Sequence, residues 1–286
     1  MSNWFEEQLE IKDGRMIKIQ YKELLDSVQS QFQKIDVYDT VPFGKMLVHD
    51  DVIMVTEFDE AHYHEMIVHV ALDVHANPQR VLVIGGGDGG TLREVLKHNQ
   101  VQTAHLCEID GQVIEICKKH FPNLSASFDD PRVEVFLEDG AGFVKKRKNF
   151  YDVIIVDSSD PIGPAQVLFQ EQFFKNMSNA LTHDGIVITQ SESFQYHRHI
   201  IKNIVASNRK IFPRYFYYYS MVPTYPSGVI GFSFCSKKYH PIEDFHPGRA
   251  DALTGLKYYN KEIHKAAFVL PQGFAEFLEK NIEKTA

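Results

Sequence analysis

The stretch from Val81 to Arg93, VLVIGGGDGGTLR, limits what this chain can fold into more than any other. Val81 to Ile84 are apolar and mostly β-branched, and read as a buried parallel strand. Gly85, Gly86, Gly87, Asp88, Gly89 and Gly90 then turn the chain. Thr91 is placed to cap TLREVLKH, a helix with Leu92, Val95 and Leu96 on one face. Strand, glycine turn and helix form the opening of a nucleotide-binding α/β unit, in which glycines let the backbone approach a ligand.

Asp88 narrows the ligand. A pyrophosphate on this helix N-terminus would meet a carboxylate, at a cost on the order of 1 kcal/mol or more at about 4 Å. That weighs against a dinucleotide-dependent dehydrogenase. The turn suits a nucleoside that is neutral or cationic at this point. The carboxylate of S-adenosylmethionine would be repelled, whereas a decarboxylated form would be favoured. The competing reading is a loop Asp that accepts from its own backbone.

Composition sets wider bounds. The 286 residues, 44% hydrophobic and 24% charged, suit one large α/β domain with a smaller appendage. No apolar run approaches the roughly 20 residues of a membrane span, and residues 1–20 mix charge throughout, unlike a signal peptide. Cys107, Cys117 and Cys235 show no C-x-x-C pairing, and read as reduced thiols in a cytoplasmic protein. A net charge of −8 disfavours nucleic acid as a partner.

Residues 1–58 read as a small antiparallel β domain and residues 59–286 as the α/β domain. In the first, 14–21 and 33–40 alternate loosely, and 45–59 reads as a hairpin turning at His49, Asp50 and Asp51. Residues 60–76 read as a helix with Met66, Val70 and Val74 on one face and Tyr63, His64 and Glu65 near the ligand. After the glycine turn, strands at 103–110, 133–140, 152–160 and 185–193 alternate with helices at 111–122, 171–181 and 197–212. RYFYYYSMV (214–222) and GVIGFSFCSKK (228–238) have no helix between them and read as an antiparallel edge pair, with every second ring of YFYYY buried. The whole is a doubly wound, Rossmann-like sheet of the S-adenosylmethionine-dependent transferase type, closed by a C-terminal antiparallel hairpin.

Ligands in such folds bind at the carboxyl ends of the strands, and each of these strands carries an acid there. Asp88 follows the first. Glu108 ends the second, 23 residues after Gly85, near the spacing of an acid that accepts ribose hydroxyls. Asp139 and Gly140 end the third, an acid for an adenine amino group beside room for a flat base. Asp157, Ser158, Ser159 and Asp160 end the fourth. Asp157 follows the apolar run Val153–Val156, a setting that raises a carboxyl and suits a general base towards an amine; a turn or helix-capping Asp is the equal alternative. Four acids at four strand tips favour a polycation. Tyr225, between two prolines in PTYPSG, stands where a rigid loop would wall an alkyl channel. His62 and His64, at i and i+2 of a helix, face apart, which argues against a metal; His197 and His199 likewise.

GGGDGG (85–90), CEID (107–110), EDG (138–140), DSSDPIGP (157–164) and PTYPSGVIGF (223–232) together resemble the spermidine synthases, within the polyamine aminopropyltransferases. WFEE, FQKI (32–35), YHEM (63–66) and KYYNKEIHKAAFVLP (257–271) extend the resemblance nearly end to end. It implies that Gln33 and Glu108 hold the methylthioadenosine part of the donor, with Asp139 and Gly140 at the base and Pro164 near the adenine. It implies Asp88 as the holder of the aminopropyl ammonium and Asp157 as proton acceptor. The turn Asp157, Ser158, Ser159 and Asp160 would bind the diamine, while Tyr63, His64 and Tyr225 line its channel; other members carry Gln at position 64. The implied reaction converts putrescine and decarboxylated S-adenosylmethionine, a co-substrate, to spermidine, with no metal or further cofactor. A homodimer or homotetramer is the implied assembly. A putrescine methyltransferase, an aminopropyltransferase for agmatine, cadaverine or spermidine, and a non-catalytic polyamine-binding module are the rival readings.

Overall fold

Two sheets carry the structure, a computed structural model that describes residues 3–158, 168 and 170–282. The first is an antiparallel meander of β1 (Asn3–Glu6), β2 (Lys18–Gln29), β3 (Lys34–Thr40), β4 (Lys45–His49) and β5 (Val52–Thr56), in that spatial order. Between β4 and β5 only Asp50 and Asp51 turn, both at positive φ (47° and 62°). That is the two-residue hairpin turn whose twist matches its strands, and it leaves His49 within β4, one residue outside the expected turn.

The chain then enters α1 (Glu60–Leu72), β6 (Arg80–Gly85), α2 (Gly90–Leu96), β7 (Thr103–Glu108), α3 (Gly111–His120), α4 (Pro122–Ser125), β8 (Val133–Leu137), α5 (Gly140–Lys145) and β9 (Tyr151–Asp157). It continues with α6 (Glu171–Ala180), β10 (Leu181–Gln190), α7 (Arg198–Asn208), β11 (Arg214–Met221) and β12 (Val229–Ser236). Three helices absent from the sequence reading close it: α8 (Pro247–Ala252), α9 (Lys261–Ala266) and α10 (Gln272–Ile282). The second sheet runs β11-β12-β10-β9-β6-β7-β8. β8, β7, β6, β9 and β10 are parallel, and β12 and β11 add antiparallel at one edge. The strand order reverses between β6 and β9, where Gly85 pairs with Asp157. This is the Rossmann-like fold with an edge hairpin, and the switch point is where such sheets bind ligands.

Both faces of the second sheet are covered. One packs on α1 and α2 through Val81, Val83, Ile155 and Phe232, and the other on α5, α6 and α7 through Leu82, Ile154, Phe173 and Phe174. The first sheet lays Ile35, Val37, Leu47 and Val55 on Val113, Ile116 and Phe121 of α3 and its exit, which puts its strand ends beside the second sheet's switch point.

Several local expectations yield to tertiary contacts. α1 stops at Leu72 rather than residue 76, because the Arg249 guanidinium donates to the carbonyls of Leu72, His75 and Ala76. It is buried everywhere except at His62, so its apolar face is not a stripe. In YFYYY, the adjacent Tyr217 and Tyr218 are both buried, since helices and C-terminal segments cover both sides of the edge hairpin.

Candidate active site

The glycine turn brings two backbones together. Gly85 sits at φ +79°, and a Cβ there would overlap the Asp157 carbonyl oxygen. The Gly86 N–H donates to that same oxygen at 2.9 Å. β9 therefore delivers the Asp157 side chain directly under the turn that carries Asp88.

Among the described residues, the partners of the Asp157 side chain are a hydroxyl and a phenol. Its Oδ2 accepts from Thr91 Oγ1 at 2.6 Å, and the Tyr63 phenol faces it. Thr91 thus serves the carboxylate and not the end of α2, whose N-cap is Gly89 with no side-chain hydrogen bond; this corrects the expected capping role. Burial, then the neighbouring Asp88 charge, push the Asp157 carboxyl above its ordinary value. Burial together with Asp157 holds Tyr63 well above the usual phenol range, so it stays neutral.

Asp88 does accept from its own backbone, from the Gly90 N–H at 2.6 Å. It also lies 3.4 Å from His64 Nε2. Burial raises this carboxyl, but the His64 charge and hydrogen bonds outweigh it and leave the group below the ordinary carboxylate value. His64 shows the inverse: burial disfavours its charge, while Asp88 and Glu60 outweigh burial and hold it well above the usual imidazole range.

Glu108 is buried at the end of β7 and pushed up to about 7, chiefly by burial. Its Oε1 accepts from the Asp110 N–H at 2.9 Å. Gln33, in the turn between β2 and β3, donates to Asp110 Oδ2 at 3.1 Å, so one acid after β7 links the N-terminal sheet's turn to the second sheet. Asp139 is the N-cap of α5 and accepts from the N–H groups of Ala141 and Gly142 at 3.2 and 2.9 Å. The Tyr225 hydroxyl donates to the Met54 carbonyl at 2.8 Å, and its ring lies 6.2 Å from that of Tyr63.

These side chains line one cavity of about 530 Å³. Gln33, Tyr63, His64, Asp88, Glu108, Asp139, Gly140, Asp157, Ser158 and Tyr225 all border it. Ser159, Asp160 and Pro164 lie outside the described residues. Glu65 does not face the ligand space: it accepts from the N–H groups of Lys257, Tyr258 and Tyr259, and so fastens the C-terminal segment to α1. Sequence reasoning passed over Glu60, Gln190 and Glu192, and read Thr91 as a cap, His49 as a turn residue and His197 only as a rejected metal ligand. Of these, Glu60 carried a signal, four residues before His64 on one helix. The others reach the site only through the packing of the sheets.

A hydrophobic-walled cavity with acids at each strand tip and one elevated carboxyl at the switch point fits a cationic nucleoside and an amine. The comparisons agree. Residues 60–245 match the model of the spermine/spermidine synthase domain, and residues 3–57 that of the spermidine synthase tetramerisation domain. A polyamine aminopropyltransferase of Leptospira biflexa is 49% identical over 98% of this chain and 99% of its own. A spermidine synthase of Coffea arabica is 45% identical over 99% of this chain and 92% of its own. The crystal structure of a spermidine synthase in complex with the transition state analogue AdoDATO superposes with a TM-score of 0.94 at 41% identity, covering 97% of this chain and 95% of that one. This chain therefore belongs to the spermidine synthase family and is a polyamine aminopropyltransferase.

Proposed function

We propose that this enzyme transfers the aminopropyl group of decarboxylated S-adenosylmethionine to putrescine, giving spermidine and 5'-methylthioadenosine. The observation that carries it is the buried pair Asp157 and Asp88 at the switch point, one held above and one below the ordinary carboxylate value. Asp157 takes the proton from an amine nitrogen of putrescine. That nitrogen attacks the aminopropyl methylene bonded to the sulfonium. The C–N bond forms, the C–S bond breaks, and sulfur keeps the electron pair as a neutral thioether. Asp88 holds the donor's aminopropyl ammonium. Glu108 and Gln33 bind the methylthioadenosine part, and Asp139 with Gly140 meets the base; a carboxylate that caps a helix keeps acceptor sites for an adenine amino group. Tyr63, His64 and Tyr225 wall the acceptor channel. On the resemblance alone, Pro164 lies at the adenine and Ser158, Ser159 and Asp160 at the diamine. The leaving group is already activated, so positioning and selective deprotonation supply the catalysis.

The same reading divides the chain at residues 58 and 59, assigns it to the cytoplasm, and assembles it as a homotetramer through the N-terminal sheet. The tetramerisation-domain match and Trp4, 52% exposed on β1, support that assembly.

Product analysis tests the reaction. Spermidine and methylthioadenosine are expected from putrescine with the decarboxylated donor only, and are lost in Asp157→Asn. Methylated putrescine from intact S-adenosylmethionine would mean that Asp88 does not select the donor. Turnover of agmatine, cadaverine or spermidine in place of putrescine would move the acceptor assignment.

A further inference from the structure

Behind Asp88 and the channel-wall His64 lie charged groups, Glu60, Arg93, Glu94 and Lys97, that the reaction above does not use. His64 sits between two carboxylates, with Nδ1 2.8 Å from Glu60 Oε2 and Nε2 3.4 Å from Asp88 Oδ1. Arg93 of α2 forks onto Glu60, Nη1 and Nη2 donating at 3.2 and 2.8 Å. Arg93 Nε donates to Glu94 at 2.6 Å, and Lys97 lies 2.8 Å from Glu94 on its other oxygen. Charge thus alternates from Lys97 through Glu94, Arg93, Glu60 and His64 to Asp88.

The backbone makes room for this arrangement. A Cβ on Gly90, the first residue of α2, would overlap the His64 imidazole. The last glycine of the turn is therefore needed by a side chain of the protein. Among the described residues, the two groups that reach Asp88, the Gly90 N–H and His64 Nε2, both meet Oδ1.

We propose that Glu60 and Arg93 are positioning residues for donor binding: they clamp the His64 ring against Asp88, which anchors Oδ1 and leaves Oδ2 for the aminopropyl ammonium of the donor. The inference rests on the reading of Asp88 as the ammonium-holding group. The groups facing His64 are Glu60 on its own helix, Tyr63, Asp88 in the turn and Asp157 from β9. Beside Arg93 and the His64 imidazolium, Lys257 adds a third cation 3.9 Å from Glu60. With Arg93 and His64 against it, Glu60 is held down to about 2 despite its burial. It remains an anion at any working pH, and keeps the ring charged and oriented. Without that clamp, Asp88 would be a second bare carboxylate beside Asp157, and would take up a proton instead of a substrate cation. With the imidazolium at Oδ1 and the ammonium at Oδ2, the ammonium's attraction to the nearer carboxylate exceeds its repulsion by the farther ring.

The test separates the ammonium from the rest of the donor. Dissociation constants for decarboxylated S-adenosylmethionine and for methylthioadenosine, which lacks the aminopropyl group, are measured by calorimetry on the parent, Glu60→Gln, Arg93→Met and Arg93→Lys. Glu60→Gln and Arg93→Met are expected to weaken the donor roughly tenfold while methylthioadenosine changes by less than about twofold. Steady-state kinetics should show the same loss in donor KM, with kcat at saturation nearly kept. Arg93→Lys should recover most of the donor affinity. Equal weakening of both ligands, or of neither, overturns the proposal, as it would mark the pair as scaffold only. If Glu60→Gln does not fold, the two Arg93 variants decide alone. Asp88→Asn is the control: if it leaves donor affinity unchanged, the reading of Asp88 falls and this inference with it. If Asp88→Asn weakens the donor and the clamp variants do not, only the inference falls.

Discussion

Asp157 and Glu108 are both elevated carboxyls, yet their expected behaviour differs because the roles proposed for them differ. A general base contributes roughly 10²–10⁴-fold to rate. Asp157→Asn should lower kcat by that much with little change in donor affinity, since the amide keeps an oxygen that can accept from Thr91. In the proposed role Glu108 accepts both ribose hydroxyls as the anion, and burial brings it to about 7. Donor kcat/KM should therefore fall as pH drops below about 7, and this limb should vanish in Glu108→Gln. Stability runs the other way. The folded carboxyl lies above its ordinary 4.5, so its contribution is full below 4.5 and is lost as pH rises through about 7. At alkaline pH, Glu108→Gln should raise the unfolding free energy, by about 1–3 kcal/mol, while weakening the donor. Chemical denaturation and calorimetry on the same sample check both. The acids at the strand tips were legible in the sequence because strand ends in a parallel sheet face one crevice. Thr91 was misread because local rules make Thr beside a helix start a cap, and only β9 shows what its hydroxyl meets.

At the scale of elements, the turn after β6 and the start of α5 carry the site. Asp139 caps α5 with both carboxylate oxygens. Asp139→Ala should cost about 1 kcal/mol of stability in thermal melts, and loosen the wall assigned to the base. A donor affinity unchanged in that variant would confine Asp139 to capping. The central strand, turn and helix were readable from a run of β-branched residues followed by glycines. Boundaries were less so: α1 ends four residues early because Arg249, far along the chain, takes its terminal carbonyls. The short helices α8 and α9 escaped notice because too few residues repeat in them to show a period, whereas α10 carried a readable stripe, Phe274, Phe277 and Leu278, that was passed over.

Across the whole molecule, the N-terminal segment is tied to the second sheet at the cavity's far end. His197, the N-cap residue of α7, bridges Glu10 at 2.7 Å and Glu192, and Gln8, Leu9, Glu10 and Lys12 line the cavity. Burial opposes the His197 charge, but Glu192 and Glu10 raise the group from 6.5 to about 9. Its stabilisation is therefore full below about 6.5 and lost as pH rises through about 9. The melting temperatures of the parent and His197→Gln should differ most at or just below about pH 6.5 and converge in alkali. Sedimentation should show an assembly larger than a monomer at micromolar concentration, and a monomer there would defeat the proposed role of the N-terminal sheet.

By itself the sequence determined the alternation of strands and helices, the antiparallel start, the glycine turn and the acids at the strand tips. Each of these is encoded within a few neighbouring residues, as periodicity, turn chemistry or a polar residue that ends an apolar run. Tertiary structure alone decided which side chains share Asp157 and Asp88, and that Glu65 serves the C-terminal segment. It also decided that the last glycine of the turn makes room for His64. Those are contacts between residues tens of positions apart, and they exist only once the two sheets and α1 have packed around one crevice.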